Sequence, residues 1–178
     1  MDAEQGGILH YKPGGSGLNQ SAGKGDEERK SMGKIRSLDA SDVSTVAKIW
    51  LETNLEAHSF IPAGYWEENF ESVKGMLPEA EVYVFEDEEK NGIQGFIGLN
   101  DRYVEGIFVR KDAQSRGIGK ALLDFAKKKK GELTLSVYQK NRGAVKFYLR
   151  EGFQIREEST DEMTGEAEYL MIWGSSAI

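Results

Sequence analysis

Between Tyr103 and Phe153 the apolar residues change period twice, and that change restricts the sheets this chain can build. Tyr103–Val109 has the composition of a strand. A glycine-containing stretch follows, Gln114-Ser115-Arg116-Gly117-Ile118-Gly119-Lys120, and then Ile118, Ala121, Leu122, Phe125 and Ala126 form a helical stripe. Lys127–Lys130 closes that helix at the negative end of its dipole, the ordinary place for a solvated basic terminus. Leu133–Val137 is a short apolar strand. Ala144, Val145, Tyr148 and Leu149 then mark a second, shorter helix, stopped by Gly152. A strand that returns through a helix pairs in parallel with the strand before it.

The flanking segments are hairpin-like and demand antiparallel pairing. Lys34–Ser37 reads as a first strand. Asp39 caps a helix with Val43, Val46, Ala47, Trp50 and Leu51 at steps of three and four. Pro62 opens a second helix, with Trp66, Phe70, Val73 and Leu77 on one face. Glu81–Glu86 and Ile93–Leu99 are strands joined by an acidic stretch ending in Asn91-Gly92, a tight-turn pair. Asn100-Asp101-Arg102 turns into Tyr103, and Phe153–Glu158 with Ala167–Trp173 forms a closing pair. The expected fold is α/β (α+β): a mixed, mostly antiparallel sheet of six to seven strands with a central parallel pair, flanked by about four helices. An exposed last strand would permit pairing across a dimer, so monomer and homodimer are both open.

Composition narrows the class. The chain has 178 residues, enough for one domain with a real core. Eight of its 21 glycines fall in the first 33 residues, among few apolar ones. Such a segment cannot offset its ordering entropy. Residues 1–31 are therefore read as a disordered leader, either an expression scar or the product of an upstream start codon, and 32–178 as the single domain. No apolar run approaches the ~20 residues of a membrane helix, and a net charge of −7 argues against nonspecific nucleic-acid binding. Without cysteine there is no disulfide, thiolate metal site or cysteine nucleophile. The expectation is a cytoplasmic protein with no metal, no membrane association and no nucleic-acid partner.

A turn whose backbone N–H groups open into a helix is an anion site, because unpaired donors and the helix dipole point the same way. Gly117-Ile118-Gly119 by itself is no more than a glycine-softened helix start. The dinucleotide fingerprint fails, because its third glycine position holds Leu122. A P-loop fails because Ala121 follows Gly119-Lys120. Arg116 and Lys120 flank the turn where phosphates would sit.

The combination is more specific. Strand, Gln-x-x-Gly-x-Gly, amphipathic helix, strand, Asn141, and Phe147-Tyr148 before Gly152-Phe153 resembles the GCN5-related N-acetyltransferase (GNAT) superfamily over residues 34–173. Ala57-His58-Ser59-Phe60-Ile61 with Tyr65-Trp66, and Val137-Tyr138-Gln139-Lys140-Asn141, resemble a bacterial subgroup of small acetyltransferases, some acting on protein lysines.

That resemblance implies a set of roles. The backbone of Ile107, Phe108 and Val109 would bond the pantetheine arm of acetyl-CoA as an added strand. Gln114, Ser115, Arg116, Gly117, Ile118, Gly119 and Lys120 would form the pyrophosphate loop, and Asn141 would contact the cofactor. Tyr148 matches the tyrosine that protonates the departing thiolate; the plainer reading is a core aromatic beside Phe147. Acceptor pockets in this superfamily come from segments matching residues 52–66 and 159–166, where Tyr65 and Trp66 would form a wall, with core packing the favoured reading of Trp66.

Acyl transfer from a thioester to an amine needs the amine neutral, and for a lysine-like pKa that costs about 4–5 kcal/mol at pH 7. A base therefore speeds the reaction. The candidates are Glu105, read as sharing the side-chain parity of Ile107 and Val109, and His58 between the first two helices. A satisfied edge glutamate and a capping or packing histidine are the competing readings. The expected function is transfer of acetyl to a primary amine, a protein lysine or N-terminal amine first, by direct attack in a ternary complex. The alternatives are a free small amine (polyamine, amino acid or antibiotic) or a non-catalytic CoA-binding sensor.

Overall fold

The computed structural model describes residues 33–90 and 92–174. The leader assigned to residues 1–31 lies outside them. Seven strands form one sheet: β1 (Lys34–Ser37), β2 (Glu81–Asp87), β3 (Gly92–Asn100), β4 (Tyr103–Val109), β5 (Glu132–Tyr138), β6 (Gln154–Thr160) and β7 (Ala167–Gly174). Four α-helices accompany them: α1 (Val43–Ala57), α2 (Ala63–Met76), α3 (Ile118–Lys130) and α4 (Arg142–Arg150). The sheet order is β1-β2-β3-β4-β5-β7-β6. Every neighbouring pair is antiparallel except β4–β5, the parallel pair joined through α3.

α1 packs on β3 and β4, α3 spans β2 to β5, and α4 lies against β5. Gly95 shows how closely α3 and the sheet approach. A Cβ there would stand 2.7 Å from the Phe108 carbonyl oxygen and 3.3 Å from Ile118 Cγ2. The core is built from fully buried Trp50, Trp66, Phe96, Phe108, Leu122, Leu123 and Leu133. Phe96 stacks on Phe108 across β3 and β4, with centroids 4.7 Å apart. At the β1 edge, Arg36 donates to Asp42 at 2.7 Å and to Glu86 at 2.9 Å, tying the turn before α1 to β2. Among the described residues no helix is long and apolar enough to cross a membrane.

One expectation needs correction. The last strand is not exposed: β7 runs between β5 and β6, and β6 is the edge. β2 and β3 form the expected hairpin, closed by the Asp87↔Gly92 pair, with a 3-10 turn at Glu88–Lys90 inside the connection. The Asp87 carboxylate accepts the Glu89 N–H at 3.0 Å, and this local bond competes with continued strand pairing. Asn91 lies outside the described residues. Pro62 opens α2 as expected, at the position immediately before Ala63.

Candidate functional site

The site begins where a sheet stops pairing. β4 and β5 share only two register pairs, Tyr103↔Thr134 and Val104↔Leu135. Beyond them β4 continues on β3 through Val109↔Gly95, and β5 continues on β7 through Tyr138↔Glu168. Two neighbouring strands thus part in the middle of the sheet, and from residue 105 onward β5 no longer covers the facing edge of β4. A parted strand edge offers amide donors and carbonyl acceptors to an extended ligand. Ile107, Phe108 and Val109 lie on this stretch with their side chains buried.

A bulge marks the point of parting. The register of β3 on β4 passes from Gly98↔Gly106 to Leu99↔Val104, leaving Glu105 as the extra residue. Cross-strand partners share a face, so Val104 and Ile107, opposite Leu99 and Ile97, lie on the same side. Alternation is therefore interrupted between Val104 and Gly106, so parity alone does not decide the side on which Glu105 lies. Glu105 lines a cleft of about 480 Å³, with Val73, Met76 and Leu77 at the end of α2 and Leu99 of β3.

Gly117 makes the turn into α3. It is the residue before the helix, at φ +82°, ψ 9°, a left-handed conformation that glycine adopts without strain. A Cβ there would meet no atom of the described residues within 4 Å, so the space immediately beside the turn is open. Ala121 N–H is the donor that closes the first helical turn, onto the Gly117 carbonyl at 2.9 Å. The N–H groups of Ile118, Gly119 and Lys120 precede it and have no intrahelical acceptor. Ser115 is also left-handed, at φ +66°. These features fit a pyrophosphate: open space, consecutive donors and the positive end of a 13-residue helix.

Two side chains of this loop have partners within the protein. Gln114 Nε2 donates to the Val109 carbonyl at 3.1 Å, fastening the loop to the end of β4. Lys120 Nζ turns to Asp124 at 3.0 Å and Glu151 at 3.1 Å, so its charge is shared with two carboxylates. Arg116 is exposed beside the turn.

α4 supplies the phenol. Ala144, Phe147 and Tyr148 form its buried face, and Tyr148 is 2% exposed between Phe147 and Phe153. Burial pushes its pKa up, and the nearby Tyr103 phenol adds to this, so Tyr148 holds its proton throughout the physiological range. Tyr103 belongs to one of the two β4–β5 pairs. Its own pKa is pushed up to about 12, chiefly by burial, with a hydrogen bond to Ser136 pulling it back and Glu105 and Glu168 adding to the rise. Tyr103 thus feels the charge of Glu105, and Tyr148 in turn feels Tyr103. Sequence reading missed Tyr103; its place two residues before Glu105 was the available signal.

His58 lies elsewhere, at the C-terminal end of α1, and is 1% exposed. Its Nδ1 is 3.1 Å from Asn54 Oδ1 and its Nε2 is 3.1 Å from Asn141 Nδ2. The ring stacks on Trp66 at 5.4 Å and meets Phe60 and Tyr138 edge-on. Asn141 caps α4, its Oδ1 accepting the Ala144 N–H at 3.3 Å. The segments expected to wall the acceptor pocket come together here. Tyr138 Oη donates to Asp161 Oδ2 at 2.5 Å, joining the end of β5 to the β6–β7 turn. Trp66 is fully buried, and its Nε1 and the Tyr65 hydroxyl are buried without a hydrogen-bond partner among the described residues. Tyr138 belongs to a motif the sequence offered, but its pairing with Asp161 was not legible, because it depends on the turn between β6 and β7.

Comparison with known proteins agrees with this architecture. The family model described as an acetyltransferase (GNAT) domain matches residues 78–155. The peptidyl-lysine N-acetyltransferase YiaC of Escherichia coli K12 is 33% identical over 141 residues, 78% of this chain and 95% of that protein. Peptidyl-lysine N-acetyltransferase YjaB of the same strain is 30% identical over 118 residues, 66% of this chain and 80% of its own. The solution structure of apo YjaB from Escherichia coli superposes with a TM-score of 0.71 at 27% identity, covering 80% of this chain and 98% of that one. With the parted strands, the glycine turn and the length of these matches taken together, the chain belongs to the GNAT family and is an acyltransferase.

Proposed function

We propose that this enzyme transfers the acetyl group of acetyl-CoA to a primary amine, with a protein lysine as the first acceptor. The parting of β4 from β5 carries this reading, supported by the helix-opening glycine turn and by a buried Tyr148 phenol that senses Tyr103, a member of one of the two β4–β5 pairs. The edge of Ile107–Val109 would hold the pantetheine arm, the N–H groups from Arg116 to Lys120 the pyrophosphate, and Gln114 and Ser115 the shape of the loop. The relatives named peptidyl-lysine N-acetyltransferases support a lysine acceptor.

Acetyl-CoA, when bound, supplies the activated thioester. Tyr148 delivers the proton to the departing sulfur, a task suited to a phenol kept protonated by burial. Glu105, at the bulge and lining the cleft, takes the proton from the amine. A backbone N–H at Ile107 or Val109 polarises the carbonyl. The chain has no cysteine to carry the acetyl group, so the amine attacks directly while both substrates are bound.

Thiol release from acetyl-CoA, followed with a chromogenic thiol reagent, tests this. The acceptor panel holds lysine peptides, peptides with free N-termini, polyamines and aminoglycosides. Turnover is expected with lysine peptides. Tyr148→Phe should lower kcat by about 10²-fold while acetyl-CoA still binds, and Glu105→Gln should remove the acidic limb of the pH–rate profile. Release only with polyamines would move the acceptor to small amines. Acetyl-CoA binding without release on any acceptor would favour a sensor, and ping-pong kinetics would rule out direct attack.

A further inference from the structure

We infer that His58 is a positioning residue that fixes the helix carrying Tyr148, an assignment that rests on the acetyltransferase reading for its catalytic consequence. The inference starts from two amides whose orientations are set independently of the histidine. Asn54 Nδ2 donates to the Trp50 carbonyl at 2.9 Å, so Oδ1 is the atom Asn54 presents to His58. Asn141 Oδ1 accepts the Ala144 N–H at 3.3 Å, so Nδ2 is the atom Asn141 presents. An acceptor at 3.1 Å from Nδ1 and a donor at 3.1 Å from Nε2 leave one arrangement of the ring. Nδ1 carries the proton and Nε2 accepts.

A ring in that state is a connector. Its lone pair is committed to an amide donor, so it is not offered to an incoming ammonium, and burial at 1% exposure separates it from solvent. The connection spans 83 residues of sequence, from the end of α1 to the first turn of α4. α4 has only nine residues, and helices this short depend on their contacts for position. Asn141 is its cap, and Tyr148 lies on its buried face one turn beyond Ala144. The backbone completes the anchor: His58 N–H closes α1 on the Asn54 carbonyl at 3.0 Å, and its carbonyl accepts from Ile61 at 2.9 Å. Loss of the imidazole would leave the Asn141 cap unsupported and let Tyr148 shift. Small displacements of reacting groups cost large factors in rate.

Glutamine is the discriminating substitution. It offers one amide donor and one acceptor at similar reach but cannot act as a base near neutral pH. His58→Gln should keep kcat within about threefold of wild type, while His58→Leu should lose about 10–100-fold. Equal losses in both variants, or an unchanged rate in His58→Leu, would overturn the inference. If His58→Leu fails to fold, His58→Gln alone decides, since a base would not survive that change. Nitrogen NMR of the imidazole gives a readout independent of turnover. His10 is the one other histidine, and His58 should show a protonated Nδ1 and a bare Nε2. The opposite tautomer would overturn the connector. The correct tautomer in a protein that acetylates no amine would overturn the acetyltransferase reading and, with it, the catalytic consequence drawn here.

Discussion

β5 has two neighbours, and they treat it in opposite ways. Against β7 it is paired at every residue from Glu132 to Tyr138. Against β4 it is paired at two, and then the strands separate. The first seam buries Leu133, Leu135 and Val137 and holds the C-terminal half of the sheet together. The second leaves main-chain groups for a ligand. A sheet can give up pairing in its middle only when each parted strand is secured from its other side, here by β3 and β7. Stability and function are therefore divided between the two edges of one strand.

The closed seam is the place to break first. Leu135 is 1% exposed, opposite Met171. Leu135→Ala should cost about 2–5 kcal/mol, read as a lower urea midpoint. Because the same residue pairs with Val104 across the other seam, the surviving folded fraction should also bind acetyl-CoA less well. A loss confined to stability would show the seams to be independent.

Hydrogen exchange sharpens the contrast without a mutation. Amides of β5 that bond β7 should exchange slowly whether or not acetyl-CoA is present. Those within residues 107–109 that point away from β3 should slow by about tenfold or more on adding acetyl-CoA. Equal protection of both sets in the free protein would mean that the opening is closed in solution.

The smallest effect belongs to the far edge, away from either seam. The Arg36 guanidinium holds the Asp42 and Glu86 carboxyls below their usual range. A carboxyl depressed in the folded state stabilises fully above its unfolded value, about 4, and loses that contribution as pH falls through its folded value. The melting temperature should fall modestly below about pH 4, and Arg36→Met should flatten that dependence. Exposed pairs contribute little, so a steep acid loss that survives Arg36→Met would have to originate in the seams.

Much of this was legible beforehand. The seven strands, the parallel pair and all four helices followed from periods of two and three to four and from caps such as Gly152. The glycine turn stood out because its surroundings are local, a loop into its own helix; Tyr148 stood out only through the family resemblance, since a phenol in a helical stripe reads as a core aromatic. The rest depends on relations between distant segments. The parting of β4 from β5 is an absence of pairing, which no side-chain pattern encodes. The bulge at Glu105 adds one residue to an alternation that reads normally without it. The His58–Asn141 bond and the Tyr138–Asp161 strut join segments that only the finished sheet brings together. The interior position of β7 was missed because strand order is not written in strand composition.

That interior position has a consequence for how the chain is made. β1 through β4 are contiguous in the sheet and can assemble in the order of synthesis. β5 and β6 cannot complete theirs, because the strand that joins them, Ala167–Gly174, is made after both. While the ribosome still holds those residues, β6 has no partner and β5 has its two pairs with β4. The C-terminal half of the sheet must therefore close in one late step, after residue 174 has left the exit tunnel, and a chain stalled before that point would present two unsatisfied strands to any chaperone waiting there.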